Sequence, residues 1–332
     1  MDIGRWLFSG VGKPTDINPQ SGYRCKANGQ KLTANSSKKH KIMDIQQNEK
    51  SKDYSQLMSR RIRRILLVCN SYDSYTLEED GRLEVQITQE YSELNLSNPP
   101  SITRVESTIE ALELITAGEQ FDLVITMYNV GEMDVYTFSQ RMKQVCPKTP
   151  VVLLTNFSKE IYRQIEQSDT SSLDYVFCWN NSTDLIIAII KLIEDSMNAD
   201  HDILEFGVQT ILLVEDSVRY YSTYLPAIYK LVLQQNGASV RDALNEQQQI
   251  ARKRARPKIL MATNYEDAVA LYERYKHNML GVISDVGFVI HKNDDPATEK
   301  LDAGIDLCNL IRKDNPTMPF LMQSSQESMR EV

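Results

Sequence analysis

From Ile65 onward, short apolar runs alternate with stretches whose apolar residues recur at helical spacing, the pattern of a parallel sheet covered by helices. Strands are predicted over Ile65 to Val68, Ile102 to Val105, Leu123 to Thr126, Val151 to Leu154 and Tyr175 to Cys178. Helices are predicted near Leu77 to Leu94, Thr108 to Ala117, Val135 to Val145, Lys159 to Gln167 and Thr183 to Met197. Five strand-helix units in that length make one doubly wound domain.

The pattern then restarts. Thr210-Ile-Leu-Leu-Val-Glu-Asp216 echoes Arg64-Ile-Leu-Leu-Val-Cys-Asn70. Leu280 to Val286 answers Asp122 to Tyr128, and Pro319 to Ser324 answers Pro150 to Thr155. The expected fold is therefore α/β: two tandem doubly wound, flavodoxin-like parallel-sheet domains. Residues 61–206 form the first domain and 207–332 the second, with the helix from Thr183 to about Glu205 running into the linker before Gly207.

Residues 1–60 read differently. Residues 1–64 hold 14 Lys/Arg against 5 Asp/Glu, a net +9 in a chain of net −8. Asn18 to Asp53 shows no apolar period, so the leader reads as a solvated, disordered basic tail. Binding of nucleic acid or an acidic surface is the less favoured alternative. Gly10-Val-Gly-Lys-Pro-Thr15 lacks the first glycine and the preceding strand of a phosphate loop.

No apolar run reaches membrane-spanning length; the longest, Leu185 to Ile193, is broken by Lys191. Five cysteines without a CxxC pair imply neither a disulfide framework nor a zinc knuckle, and a reducing, cytoplasmic setting is expected. The amino terminus has no apolar core of signal-peptide length. Arg252 to Lys258 could meet a phosphorylated partner or nucleic acid, though a solvated helix end explains it at least as well. Tyr220, Tyr221, Tyr224 and Tyr229 read as packing residues, and the four histidines do not cluster.

Chemistry concentrates in the second copy. Glu215 and Asp216 close one strand and Asp285 closes another, so the three carboxylates should meet at the carboxyl edge of the sheet. A hard divalent cation, Mg²⁺, would relieve their repulsion, and a carboxylate beside it is a nucleophile for a phosphoryl group. Ser324 is placed to offer its hydroxyl to bound phosphoryl oxygens. For Glu215 and Asp216 alone, helix capping is a comparable reading.

ILLVEDS, ISDVG and MPFLMQSS together resemble the receiver domain of bacterial two-component response regulators. The resemblance implies Asp285 as phosphoacceptor, Glu215, Asp216 and the Gly287 backbone carbonyl as Mg²⁺ ligands, and Ser324 as the switch hydroxyl. In the first copy the same positions read Cys69-Asn70, Met127 and Thr155, with Cys178 where the family has lysine, which implies a pseudo-receiver. Cys69 and Cys178 read as buried structural residues ahead of reactive or metal-binding ones. Asp134 reads as a helix cap.

Two departures qualify the resemblance. Phe288 to Lys300 is an insert that should partly cover the acidic face. The sequence also ends eight residues past Ser324, where the first copy runs 44 from Thr155 to Ala199. The second domain is thus expected to lack its last helix-strand-helix and the family lysine, and to phosphorylate poorly.

Longer phrases, among them ALNEQQQIARKRARPKILMATNYEDAVALYERYK, are similar to the amino-terminal region of bacterial phosphoenolpyruvate synthase/pyruvate phosphate dikinase-like proteins. That similarity implies a signal-input module for a downstream phosphotransfer enzyme, with no catalytic domain in these residues. Expected partners are a sensor histidine kinase or other phosphodonor, the downstream catalytic domain and a second copy in a homodimer, with no membrane and no nucleic acid. A non-phosphorylated scaffold built from two receiver-like folds is the alternative.

Overall fold

The computed structural model describes residues 56–72, 83–94, 98–131, 133–156, 168–180, 182–241, 252–292, 294–295 and 298–324, with single positions 96, 165 and 249. The basic leader up to residue 55, the start of the first predicted helix and most of Lys159 to Gln167 lie outside them. Residues from Ser55 onward form one compact unit that carries two sheets.

The first sheet is built from β1 (Arg64–Val68), β2 (Ser101–Val105), β3 (Leu123–Met127), β4 (Val151–Asn156) and β5 (Tyr175–Trp179), all parallel, in the order β2-β1-β3-β4-β5. This is the flavodoxin-like order. Its helices are α1 (Leu83–Glu93), α2 (Thr108–Thr116), α3 (Val135–Val145) and α4 (Thr183–Ala199). The central strands are continuously apolar because helices cover both faces and leave no solvent side. Every residue of β3 is buried.

The second sheet repeats the design with β6 (Thr210–Val214), β7 (Lys258–Ala262), β8 (Met279–Asp285) and β9 (Phe320–Gln323), parallel, in the order β7-β6-β8-β9. Its helices are α5 (Val218–Arg241), α6 (Tyr265–Tyr275) and α7 (Ala303–Asp314). Among the described residues β7 and β9 are the edge strands.

Capping residues fix several helix starts. Ser107, Asp134, Ser182 and Asn264 each accept a backbone N–H of the first turn, a cap worth about 1 kcal/mol. Asp134 is thus a cap, accepting from Tyr136 N at 3.0 Å and Thr137 N at 2.9 Å. The Thr137 hydroxyl, then these backbone bonds, hold its carboxyl below the usual range.

α4 explains the longest apolar run. Every residue from Leu185 to Asp195 is buried, because the helix is clasped between α1 of the first lobe and α5 and β7 of the second. Among the described residues no helix is long and apolar enough to cross a membrane. The helix continues as a wider π-type turn, Asp200–Glu205, and ends at Gly207 with φ +75°, a left-handed conformation that favours glycine.

An all-apolar helix face would leave the two lobes free to slide, but α4 carries charges that fix one register. Asp195 takes a bidentate pair from Arg256 at 2.8 and 2.9 Å, the Tyr229 hydroxyl at 2.9 Å and Ile259 N at 3.0 Å. Lys258 Nζ lies 2.7 Å from Asp202 Oδ2, an ionic contact without aligned hydrogen-bond geometry. Asp202 also accepts Met58 N, and Glu194 accepts Ile62 N and pairs with Lys191. Burial works against the charged form of Asp195, yet the Arg256 and Lys258 charges outweigh it and hold the carboxyl below its usual range.

The end of the basic run is therefore neither a solvated helix end nor a docking patch. Arg256 is 1% exposed and Lys258 fully buried, both consumed by acids of α4 and the turn after it. Sequence spacing could not show this, because their partners lie about sixty residues away. The tyrosines of α5 are packing residues as expected: the Tyr221 hydroxyl bonds the Val176 carbonyl and its ring meets Phe177 edge-on at 5.3 Å.

Candidate functional site

β6 and β8 lie side by side with Val214 opposite Ser284, so the residues that follow emerge together at the carboxyl edge. One oxygen each from Glu215, Asp216 and Asp285 lies within 4.8 Å of the others. The separate sequence stretches thus converge.

Glu215 is 2% exposed and accepts Ser217 N at 3.1 Å. Asp216 accepts Val289 N at 3.3 Å, and Asp285 accepts Val286 N at 2.8 Å. Burial, then the charge of Asp285, pushes Glu215 up to about 8. Burial, then the charge of Glu299, pushes Asp216 up to about 6. Asp285 is raised by burial and Glu299 despite its bond from Val286. In the protein alone such a cluster holds protons, and a divalent cation would displace them.

Glu299 is the residue that sequence reasoning missed. The insert closes through a two-bond antiparallel bridge between Phe288 and Lys300. Phe288 is fully buried in the core beneath the edge, and Val289 and Ile290 accept the first N–H groups of α6. This fold-back brings the Glu299 carboxylate against Gly287, where a Cβ would collide with it. A fourth carboxyl group thus stands at the site. The only sequence signal was an acid next to the residue that closes the insert.

The start of α7 is pressed equally close. A Cβ on Gly304 would run into the Asp285 carbonyl and lie 3.0 Å from Val286 Cα, while Gly304 N donates to the Val286 carbonyl at 2.8 Å. Glycine at 304 therefore lets the helix brace the loop that carries Asp285. Ser324 follows Gln323, the register partner of Asp285, and is exposed. It sits on the neighbouring strand end. Asp216 also lines a cleft of about 670 Å³ whose lining includes Asp169 to Ser171 and Leu173 to Val176 of the first lobe.

The first lobe shows what replaces the acids. Cys69 and Met127 are buried apolar fillers, and Cys178 is buried, with its N–H donating to Ser222 Oγ of α5 at 2.9 Å. Burial pushes the Cys178 thiol up, so it is no activated nucleophile. Thr155 is buried and bonds the Asn156 carbonyl. The Asn70 side-chain amide donates to the Asn129 carbonyl at 2.7 Å. Positions 70 and 129 correspond to 216 and 287 in the second lobe, so an amide ties the two loops where the second lobe offers a carboxylate and the Gly287 carbonyl. That correspondence fits a cation between residues 216 and 287.

No family model matches the chain, and no curated protein matches it. Among solved structures it is similar to the phosphorylated cyanobacterial phytochrome response regulator RcpA, at 18% identity over 40% of this chain and 92% of that one, with a TM-score of 0.31. The signal receiver domain of an HD-domain protein from Pseudomonas fluorescens Pf-5 matches at 22% identity over 44% and 94%, with a TM-score of 0.29. A two-component response regulator/GGDEF domain protein matches at 13% identity over 81% and 85%, with a TM-score of 0.30. At these values the likenesses decide nothing about chemistry. The fold assignment rests on strand order, and the site on its own geometry.

Proposed function

We propose that the chain is a regulatory module of two-component type, in which the second lobe accepts a phosphoryl group on Asp285 and the first lobe serves as its fixed mount. The observation that carries this reading is the convergence of Glu215, Asp216 and Asp285 within 4.8 Å at a strand-switch edge.

Glu215, Asp216, Asp285 and the Gly287 carbonyl would hold Mg²⁺, which would neutralise charge on an incoming phosphoryl group. The Asp285 carboxylate oxygen attacks phosphorus of an acyl phosphate or phosphohistidine. A new P–O bond forms as the donor leaves with its electron pair, giving an acyl phosphate on Asp285. Val286 N–H holds the carboxylate in place. Ser324, which follows the strand end beside Asp285, would swing towards the product's oxygens. The added charge would then bias the strand-end loops and the interlobe cleft that Asp216 lines.

The phosphodonor would be a sensor histidine kinase or a small acyl phosphate. The output would be a downstream phosphotransfer enzyme, a step supported only by the similarity in sequence phrases to phosphoenolpyruvate synthase-like proteins. A second reading, a scaffold that is never phosphorylated, draws on Glu299, whose charge at the site opposes an incoming dianion.

The test is incubation of the full chain with a labelled small acyl phosphate and Mg²⁺. The phosphoacceptor reading expects label that is lost in Asp285→Asn and on addition of chelator. Label that survives Asp285→Asn removes the assignment, and no label in either Glu299→Gln or the parent chain favours the scaffold.

A further inference from the structure

A second cavity lies on the other side of the seam, remote in sequence from the acidic edge. Its volume is about 630 Å³, within the range of small-molecule sites. The first lobe contributes Arg61, Arg63 and Lys191, and the second contributes Lys253, Arg254 and Arg256. Glu194 is the one carboxylate among the described lining residues, and it is already committed to Lys191 and the Ile62 N–H. Arg256 is balanced by Asp195. Among the described lining residues six cationic side chains thus stand beside one carboxylate, in a protein whose net charge is −8.

Two features make this more than a solvated basic patch. Lys191 and Arg256 are 5% and 1% exposed, and each is anchored: Lys191 between Glu194 and the face of Tyr91 at 5.0 Å, Arg256 between Asp195 and the face of Tyr229 at 5.6 Å. The Arg61 guanidinium is held by the Met58 carbonyl at 3.3 Å. The cavity also has an apolar wall, formed by Leu94, Leu96, Pro99 and Leu233, and two side-chain amides, Asn98 and Asn236. Cations, apolar side chains and side-chain amides in one cavity match an anion that carries a flat ring.

We infer that this cavity binds a nucleotide, with the phosphates among Arg61, Arg63, Lys253 and Arg254 and the base against the leucine wall. Both lobes supply phosphate contacts, so occupancy would clamp the strap at residues 58–63 to the turn at 253–256. The inference does not depend on phosphorylation of Asp285.

The test is calorimetric titration of the full chain with ADP, pyrophosphate and a short duplex DNA at physiological salt. The expected result is saturable one-to-one binding of ADP, at least about tenfold tighter than pyrophosphate. Charge reversal in Arg61→Glu and in Lys253→Glu should each weaken ADP about tenfold or more. Both side chains are partly exposed, so the variants should keep the parent circular dichroism, and Lys292→Glu, outside the cavity, should bind ADP as the parent does. The inference is overturned if ADP does not saturate by about 1 mM, if pyrophosphate binds as tightly as ADP, if DNA competes at equal affinity, or if folded Arg61→Glu and Lys253→Glu bind ADP unchanged.

Discussion

Replacement of Arg256 by Met should be among the most destabilising single changes outside the apolar core. The side chain is 1% exposed and gives Asp195 two charge-assisted hydrogen bonds, at 2.8 and 2.9 Å, and the Pro257 carbonyl a third at 3.0 Å. Methionine keeps much of the volume but leaves Asp195 charged, fully buried and facing Lys258 at 3.7 Å, the Tyr229 hydroxyl and the Ile259 N–H, with its strongest counter-charge gone. Stranding one partner of a buried ion pair costs about 3–5 kcal/mol. The loss should appear as a lower urea midpoint with an unchanged slope if the two lobes unfold as one unit. It should shrink when Asp195 is also changed, to Asn, because the buried charge goes with its partner. The sign with pH follows. In the parent the Asp195 carboxyl is held low, so its contribution is present above the unfolded value near 3.9 and is lost only as pH falls through the lower folded value. In Arg256→Met the carboxyl rises, and the deficit should narrow as pH drops from 7 to 5. A loss under about 1 kcal/mol, or one independent of Asp195, would show that the seam is solvated and refute a locking role.

Other expectations follow from the site. Glu215 near 8 and Asp216 near 6 are raised above their unfolded values, so in chelator the protein should lose stability, on the order of a few kcal/mol, as pH climbs from about 4 to above 8. Thermal unfolding with and without Mg²⁺ checks this: the ion should restore stability chiefly in that window, and a flat profile in chelator argues against the cluster. Glu299→Gln should lower the Asp216 titration, read by carboxyl chemical shifts, because Glu299 is the largest charge raising it. Gly304→Ala should cost about 1–3 kcal/mol, since the added methyl meets backbone that cannot turn aside. Asp134→Ala should cost about 1 kcal/mol by chemical denaturation, the value of a lost cap.

The repeated pattern of Arg64 to Asn70 and Thr210 to Asp216 was enough to reveal two parallel sheets, because a strand covered on both faces is written as an unbroken apolar run. β1 to β5 fall within two residues of their expected limits for the same reason. The carboxylate cluster was legible too, since strand ends of a doubly wound sheet share one edge. What escaped was long-range. Glu299 reaches the site only because the Phe288–Lys300 bridge folds the insert back, and no local period encodes such a closure. The pairing of Arg256 and Lys258 with Asp195 and Asp202 was hidden likewise: a cluster of cations reads as surface until its buried acids are located in space. The burial of α4 on all sides was visible only as an ambiguous apolar run, which a membrane, a core or a lobe interface would each produce.

The convergence of Glu215, Asp216 and Asp285 on one divalent ion is tested most directly by Mg²⁺ calorimetry at pH 7 in two buffers of different ionisation heat. The account predicts one site of millimolar affinity or better, with protons released on binding because Glu215 titrates near 8. Asp285→Asn and Glu215→Gln should weaken the ion and reduce the proton release. Absence of binding, or the same binding and proton count in both variants, would contradict it.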